Sequence, residues 1–438
     1  MNKITELLIQ YSDYYFSNHS VPTWTKRCVS RIIDCYRQAL GDNINICQDC
    51  GKSFLVANTC KTKNCPKCAF YRTYLWLEKI ADILPTMNYQ HIVFTIPIFL
   101  RPFFIVNFKV MTNIQFKAIS IALKEYARSR CVLSFWVAVY QHCGEHLTLN
   151  PHLHVIAALG GLLLDHSAFK PLPYYYAKQL SKIYTTVFLK KLRRAFKQGK
   201  IVLPNKYAHL SSYALFTRFI DANVKAINVK QALHQLKGNS VHSHFIEQFC
   251  PSTLNSPQYK AWNVFAAPVK GNAPFAYIVR YLHHPPITQT KIISNLRNRI
   301  VLRLKNKTTG LTERVVWTPE QFMKRFCDQF PPKGFHNVRR GGLLAPSNTK
   351  LFNLLKHFLA NCYQHMIPAY DDIRSQMYNY NIHKNKQQAK TCPDCGGKIV
   401  FFKRLHPNHP IYSFITKDNI KVLSYKELKL LFLCYDTT

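Results

Sequence analysis

The chain has 438 residues and carries 59 lysines and arginines against 21 aspartates and glutamates, which gives a formal net charge of +38. Because so many positive charges repel one another in a compact fold, they indicate a polyanionic partner. Nucleic acid is the favoured partner and an acidic membrane surface the weaker alternative. The apolar fraction of 47%, with 25 tyrosines and 29 phenylalanines, excludes a disordered basic tail and predicts roughly two to four folded domains.

No segment of the sequence predicts a membrane span or a signal peptide. The most apolar stretch, residues 91–106, is interrupted by Pro97, Arg101 and Pro102 and is shorter than the ~20 residues that a span needs. The first residues lack a basic start followed by an apolar run. Cysteines spaced as Cys-x-x-Cys pairs indicate metal sites in a reducing compartment. We therefore expect a cytoplasmic protein without a membrane partner.

The hydrophobic pattern predicts a mixture of helices and strands. The predicted elements, in chain order, are helices over 25–40 and 71–84, a strand over 91–96, a helix over 110–128, strands over 132–140 and 152–164, a mostly helical insertion over 167–237, a short helix over 274–284, a helix that begins near 318, and a polar linker over 381–390. The predicted fold class is α+β.

Two Cys-x-x-Cys pairs, Cys47 with Cys50 and Cys65 with Cys68, lie 14 residues apart. Two such turns can present four thiolates tetrahedrally, which is the arrangement that a structural zinc ion prefers. Lysines around the pairs argue against the alternative of buried free thiols. We therefore predict one zinc ion bound by these four cysteines. The sequence leaves the role of Cys60 open.

A His-x-His pair, His152 and His154, lies on a predicted strand, where residues two apart share a face. Both imidazoles can therefore ligate one metal ion, although two ordinary polar histidines would give the same pattern. Gln141 ends the preceding strand and Glu145 lies in the turn between the strands, so either could supply an oxygen ligand. Such a mixed nitrogen and oxygen site suits Mg²⁺ or Mn²⁺.

Tyr277 and Tyr281 lie four residues apart on a predicted helix, and so on one helix face. A phenolate beside a metal-bound phosphate can attack phosphorus and form a covalent phosphotyrosyl enzyme. Because the chain has many tyrosines, a packing role explains this pair equally well when it is taken alone. The conjunction with the histidine strand favours catalysis.

Further candidates are a second zinc site and a set of phosphate-binding side chains. Cys392 and Cys395, followed by His406 and His409, approach a zinc-finger spacing, against the alternative of a turn with free thiols. Basic residues interleaved with apolar ones predict DNA-binding faces, unless they form an ordinary solvated surface. The predicted DNA-binding residues are Lys190, Lys191, Arg193, Arg194, Arg280, Arg297, Arg299, Arg339 and Arg340.

The order of these motifs resembles the two-tyrosine HUH transposases of bacterial insertion sequences, of the insertion-sequence ninety-one type, which act by a rolling-circle route. The similarity extends over roughly residues 25–398. The motifs that carry it are the cysteines from Cys47 to Cys68, Phe94-Thr95-Ile96-Pro97, Pro151-His152-Leu153-His154, Tyr277-x-x-Arg280-Tyr281, Pro332 to Phe335, Arg339 to Ala345, and Cys392 to Gly397.

The resemblance implies an HUH endonuclease core, a small antiparallel sheet with flanking helices. It further implies cleavage of single-stranded or hairpin DNA ends through a 5′-phosphotyrosine, and it favours Gln141 as the oxygen ligand. The expected domains are a zinc-binding domain over 1–85, the catalytic domain over 86–300, a basic DNA-binding region over 301–380 and a small Cys-x-x-Cys unit over 381–438. The alternatives are a plasmid replication initiator or relaxase with the same chemistry, and a non-enzymatic zinc-dependent regulator. The oligomeric state is left open.

Overall fold

The chain was analysed as a computed structural model. The structure describes residues 2–62, 64–68, 83–85, 87–144, 146–236, 262, 264–268, 287–306, 310–362 and 391–413. Two compact units form from interleaved segments of the chain. The first unit contains Met1–Lys79, His283–Phe330 and Tyr370–Thr438, and the second contains Ile80–Leu282 and Pro331–Ala369.

The described residues form a mixture of helices and strands, as the sequence predicts. The helices are α1 (Lys3–Asn18), α2 (Thr23–Ile33), α3 (Arg101–Val106), α4 (Phe108–Arg128), α5 (Ala177–Lys197), α6 (Tyr213–Leu236), α7 (Pro319–Cys327) and α8 (Thr349–Cys362). The strands are β1 (Asp42–Cys47), β2 (Ser53–Ala57), β3 (Tyr89–Thr95), β4 (Val132–Leu133), β5 (Phe135–Cys143), β6 (Leu149–Ala158), β7 (Gly160–Leu163), β8 (Phe169–Pro171), β9 (Val264–Pro268), β10 (Ile292–Leu296), β11 (Arg299–Lys305), β12 (Thr312–Trp317), β13 (Val338–Gly342) and β14 (Ile399–Leu405).

Two small antiparallel sheets build the first unit. In one, β1 lies between β14 and β2. In the other, β11 lies between β10 and β12, and its buried Ile300, Leu302 and Leu304 alternate with the half-buried Val301 and with exposed basic residues. The helix predicted near residue 318 is confirmed. It is α7, which begins at a capping box between Thr318 and Gln321.

The second unit is built on a five-stranded sheet of antiparallel pairs in the order β13-β5-β6-β3-β9. One face packs against α4 and α5, and it contributes Phe94, Tyr140 and Leu153 to the core together with Tyr184 and Phe188 of α5. Residues that alternate with these on β3, β5 and β6 lie on the opposite face. That face carries His152 and His154, and it is called the histidine face below.

Strand β13 is the main element of this sheet that the sequence pattern did not predict. Its Arg-Arg-Gly-Gly sequence pairs with β5, and Gly341 lies opposite Trp136. A Cβ atom on Gly341 would lie 2.1 Å from the indole ring, so the close approach of Trp136 requires glycine here. Tertiary packing therefore makes a strand from residues that disfavour one locally.

Several predicted boundaries are wrong. The strand predicted over 152–164 is two strands, β6 and β7, and the helix predicted over 25–40 ends at Ile33. The boundary expected at residue 300 falls inside β11, and the C-terminal segment is no separate unit, because β14 pairs with β1. The helix over 274–284, the linker over 381–390 and nearly all of the helix over 71–84 lie outside the described residues.

The mixed fold class is confirmed, because helices accompany small antiparallel sheets in both units. The predicted helical insertion over 167–237 contains α5 and α6. In the parts of the chain that the structure describes, no helix is both long and apolar enough to cross a bilayer.

Candidate active site and metal centres

The histidine face presents two imidazoles and an amide at the centre of the sheet. His152 and His154 lie two residues apart on β6, and Gln141 on β5 lies directly opposite His152. Gln141 Oε1 is 3.0 Å from Nε2 of His154, and the two imidazole centroids are 4.9 Å apart. The sequence-predicted histidines and Gln141 are therefore brought together.

Hydrogen bonds from neighbouring elements orient His152. Its Nδ1 donates to the Asn150 carbonyl, which leaves the Nε2 nitrogen with a lone pair. The start of β6 is itself held by Arg101 of α3, whose guanidinium donates to the Leu149 carbonyl at 2.9 Å and to Asn150 Oδ1 at 2.7 Å. Arg101, one of the residues that interrupt the apolar stretch over 91–106, thus stabilises the start of the strand that carries the histidines.

A third histidine, His91 of β3, belongs to the same cluster and was not predicted. Its Nε2 is 3.1 Å from Nδ1 of His154, and the two rings are stacked with centroids 5.3 Å apart. Burial lowers the pKa of His91 to about 4, so the ring is neutral near pH 7 and its Nε2 can accept a hydrogen bond from Nδ1–H of His154. In that tautomer, Nε2 of His154 presents its lone pair on the side of Gln141. The sequence did contain a signal for His91. It alternates with the apolar Ile92 on a predicted strand, and so shares a face with Val93 and Thr95.

Tyr277, Arg280, Tyr281 and Glu145 lie outside the described residues. The choice of Gln141 over Glu145 therefore rests on the family resemblance and on the position of Gln141 beside His154.

The cysteines form two clusters in the first unit, each with four sulfur atoms within 4.8 Å of one another. Cys47 and Cys50 lie with Cys392 and Cys395, and the Cys47–Cys395 and Cys50–Cys392 sulfur pairs are 3.5 and 3.6 Å apart. This set is called the knuckle cluster. The predicted grouping of Cys47 and Cys50 with Cys65 and Cys68 is wrong, because antiparallel pairing of β1 with β14 brings the two distant Cys-x-x-Cys turns to one end of the sheet.

The knuckle cluster is built from two turns of the same design. In each turn the glycine after the second cysteine, Gly51 or Gly396, adopts a positive φ and donates its N–H to the carbonyl of the first cysteine. A backbone hydrogen bond from Cys50 lowers the pKa of Cys47 to about 7. Within the described residues, the cluster around Cys392 includes neither His406 nor His409, so the predicted histidine ligands are also wrong.

The second set, called the buried cluster, consists of Cys35, Cys60, Cys65 and Cys68. All four residues are buried, and Cys60 Sγ is 3.5 Å from Cys68 Sγ. The Cys60 N–H donates to Cys35 Sγ at 3.3 Å, and the Lys67 N–H donates to Cys65 Sγ at 3.4 Å. Cys60, whose role the sequence left open, is therefore a candidate metal ligand. Cys35 is another, although it belongs to no Cys-x-x-Cys pair.

Both clusters fit zinc in donor type and spacing. Tetrahedral ligands with Zn–S bonds of about 2.3 Å place their sulfur atoms about 3.8 Å apart, close to the separations found here. Backbone N–H groups aimed at sulfur further favour the thiolate form that zinc requires.

The predicted DNA-binding residues differ in how far they are available to phosphates. Lys190 and Arg194 on α5 are exposed, as are Arg297 and Arg299 at the β10–β11 turn and Arg340 on β13. Arg193 instead forms an ion pair with Asp221 of α6. The half-buried Arg339 stacks on Phe116 and donates to Asn113. Lys191 is half-buried.

Parts of the chain match two known protein families. Residues 7–96 match the family described as "Transposase zinc-binding domain", and residues 136–350 match the family described as "Putative transposase". The first match contains Cys35 and the N-terminal cysteine pairs, and the second contains His152 and His154.

Two curated relatives agree with this assignment. The chain is 26% identical over 359 residues to "Putative transposase y4qJ" of Sinorhizobium fredii, which is 78% of this chain and 80% of the relative. It is 23% identical over 322 residues to "Transposase for insertion sequence element IS801" of Pseudomonas savastanoi pv. phaseolicola, which is 72% of this chain and 69% of the relative. No solved structure matches the chain. The chain therefore belongs to the insertion-sequence ninety-one type of transposases, with a zinc-binding domain near its N-terminus.

Proposed function

We propose that this transposase cuts single-stranded or hairpin DNA ends of a mobile element and rejoins them through a 5′-phosphotyrosine, in a rolling-circle-like route. The observation that carries the proposal is the convergence of His152, His154 and Gln141 on the histidine face, with Gln141 Oε1 3.0 Å from His154 Nε2. The eight clustered thiols suit a reducing compartment, so the cytoplasm is the proposed location.

The histidine face fits a divalent ion such as Mg²⁺ or Mn²⁺. Two ligands at right angles on an ion with bonds of about 2.1 Å lie about 3 Å apart, as Gln141 Oε1 and His154 Nε2 do. When bound, this ion would polarise and orient the scissile phosphate. With its proton on Nδ1, donated to Nε2 of His91, His154 would turn the lone pair of Nε2 toward the ion, and the hydrogen bond of His152 Nδ1 to the Asn150 carbonyl would do the same for His152.

Tyr277 and Tyr281 are the proposed nucleophiles. The phenol oxygen of one attacks the phosphorus and forms a P–O bond, while the bond from phosphorus to the 3′-oxygen breaks and a proton replaces it. The free 3′-hydroxyl of another strand then attacks the phosphotyrosine, which reforms a phosphodiester and returns the phenol. The number of phosphodiester-type bonds is conserved in each step, so no ATP is needed.

We assign structural zinc ions to the knuckle cluster and the buried cluster. In this assignment, Cys47, Cys50, Cys392 and Cys395 hold one ion, and Cys35 with its three partners holds the other. DNA contacts fall to exposed basic residues such as Lys190, Arg194, Arg297 and Arg299. Binding to single-stranded DNA should therefore fall steeply with salt, with a log–log slope of magnitude ~5 or more.

A suicide-substrate assay tests the chemistry directly. Full-length protein with Mn²⁺ and a single-stranded oligonucleotide, whose short fragment ending in the 3′-hydroxyl dissociates after cleavage, should yield a covalent adduct on a denaturing gel. Replacing both Tyr277 and Tyr281 by phenylalanine should abolish the adduct and leave DNA binding nearly unchanged, because each change removes one hydroxyl. The matched control is Tyr14→Phe, at a tyrosine that is 64% exposed in the first unit. An adduct that survives the double change would refute these nucleophiles.

The outcome also separates the rival functions. A non-enzymatic regulator would bind DNA and form no adduct with any substrate. A replication initiator or relaxase would form the adduct, but it would act on a replication or transfer origin and would not join element ends to a new target. His152→Ala combined with His154→Ala should abolish cleavage even with added Mn²⁺, because two metal ligands are lost.

A further inference from the structure

A basic cleft lies on the helix-covered side of the five-stranded sheet, at its β13 edge. It encloses about 590 Å³ between α4, β13 and the segment that leads into α8. Among the described residues that line it are five lysines and arginines and one histidine, with no aspartate or glutamate. The cleft thus has the charge of an anion-binding surface.

One wall of the cleft is a stripe of basic side chains along α4. Lys117, Lys124 and Arg128 are exposed and line the cleft, with the small Ser120 between them. Eleven residues of helix separate the first from the last, about 16 Å, which is long enough to reach several successive phosphates. No ion pair within the described parts of the chain includes these three residues.

The opposite wall contains the arginines of β13. Arg339 pairs with Ala138, a residue of the core that α4 covers, whereas Arg340 pairs with Val137 on the histidine face. The two successive arginines therefore start on opposite faces of an edge strand, and both line the cleft there. Strand β13 is two strands away from β6, which carries His152 and His154. The two histidines therefore lie about 10 Å from β13 across the sheet, on the face opposite the cleft.

We propose that single-stranded DNA flanking the cleavage site passes over the β13 edge and lies in this cleft. Arg340 would contact the strand on the histidine face, and Lys117, Lys124 and Arg128 would bind its phosphates beyond the edge. Its volume of about 590 Å³ is in the range of clefts that hold a small ligand, which suits a short stretch of one strand better than a duplex. Backbone binding in a positive groove is the usual basis of sequence-tolerant single-strand recognition. The inference rests on the proposed DNA cleavage and adds a binding path to it.

The test is the salt dependence of binding to a labelled 30-nucleotide single strand, measured with full-length protein. The variant carries Lys117→Gln, Lys124→Gln and Arg128→Gln. Its matched control carries Lys178→Gln, Lys182→Gln and Lys200→Gln, which removes three exposed charges from the same unit outside the cleft. Exposed glutamines preserve helix propensity, and equal thermal unfolding of the two proteins checks the fold.

Loss of three phosphate contacts should reduce the log–log salt slope by about 2 for a single strand. Between 50 and 200 mM salt, the wild-type protein should then lose roughly 20-fold more affinity than the cleft variant. The variant should also lose the advantage that wild type has for long over short strands carrying the same cleavage site.

The outcomes distinguish this inference from the proposed function. Equal slopes in the cleft variant and in wild type, or equal decreases in the variant and its control, would overturn the cleft while leaving DNA cleavage standing. Stronger competition by duplex than by single strand would overturn the assignment of the occupant. If wild type binds no DNA and forms no adduct, the proposed function fails with it.

Discussion

Replacing Cys35 by serine should remove one zinc ion from the protein, although this cysteine belongs to no recognisable motif. Cys35 is fully buried, and its sulfur lies with those of Cys60, Cys65 and Cys68. Structural zinc contributes about 10–16 kcal/mol to the folding of zinc-finger peptides, so loss of one of four ligands should weaken zinc binding by roughly 3 kcal/mol, about 150-fold, and let the ion leave when loosely bound metal is removed. For a unit of this size, such a loss lowers the melting temperature by on the order of 10 °C.

The assay is zinc analysis of full-length protein after removal of loosely bound metal. The two clusters predict about two zinc ions per wild-type chain, and about one in either Cys35→Ser or Cys392→Ser. The double variant should hold almost none. Two controls, Cys131→Ser and His406→Ala, should keep both ions, because neither residue belongs to a cluster. Full zinc in Cys35→Ser, or a lost ion in His406→Ala, would refute the grouping.

Three further predictions concern the second unit. His91→Phe should weaken Mn²⁺ binding by ~10–100-fold in calorimetry by removing the partner of a proposed ligand, and His91→Gln, which keeps an acceptor, should restore part of it. Equal Mn²⁺ affinities of the His91→Gln and His91→Phe variants would mean that His91 has only a packing role. Gly341→Ala should destabilise the protein by about 1–3 kcal/mol in denaturant unfolding, because the new methyl group meets Trp136; no change would refute that steric argument. Arg194→Gln should reduce the salt slope of DNA binding more than Arg193→Gln, whose guanidinium already pairs with an aspartate; equal effects would count against this.

Local periodicity was sufficient to predict the histidine site but not its full composition. The pattern His152-Leu153-His154 places two imidazoles on one face in any β-strand, and the structure agrees. The position of Gln141 opposite His152 depends on the register of β5 against β6, which alternation alone does not fix. His91 was the first residue of a predicted strand, but its contact with His154 depends on β3 pairing with β6.

The cysteine grouping was missed because spacing reports only local geometry. Proximity along the chain favoured joining Cys50 to Cys65, whereas the structure joins Cys50 to Cys392, a separation of 342 residues. A signal was present, since Cys47 and Cys392 both begin a Cys-x-Asp-Cys-Gly sequence. Two turns of the same sequence suggest that each supplies two of the four ligands of one metal site. Cys35 offered no such signal, because its place in the buried cluster depends on where α2 ends.

The knuckle cluster makes the first unit depend on two segments of the chain, since Cys50 and Cys392 lie 342 residues apart. Closing a flexible loop of this length costs about 5 kcal/mol by loop-closure entropy, and a four-thiolate zinc site can offset that cost. Pairing of β14 with β1 adds a ladder from Asp42–Leu405 to Cys47–Ile399. A chain that lacks Cys392 and β14 would leave β1 as an edge strand beside two unligated thiols. The knuckle cluster is therefore complete only once the turn at Cys392–Cys395 has joined it, after the intervening residues of the second unit have been synthesised.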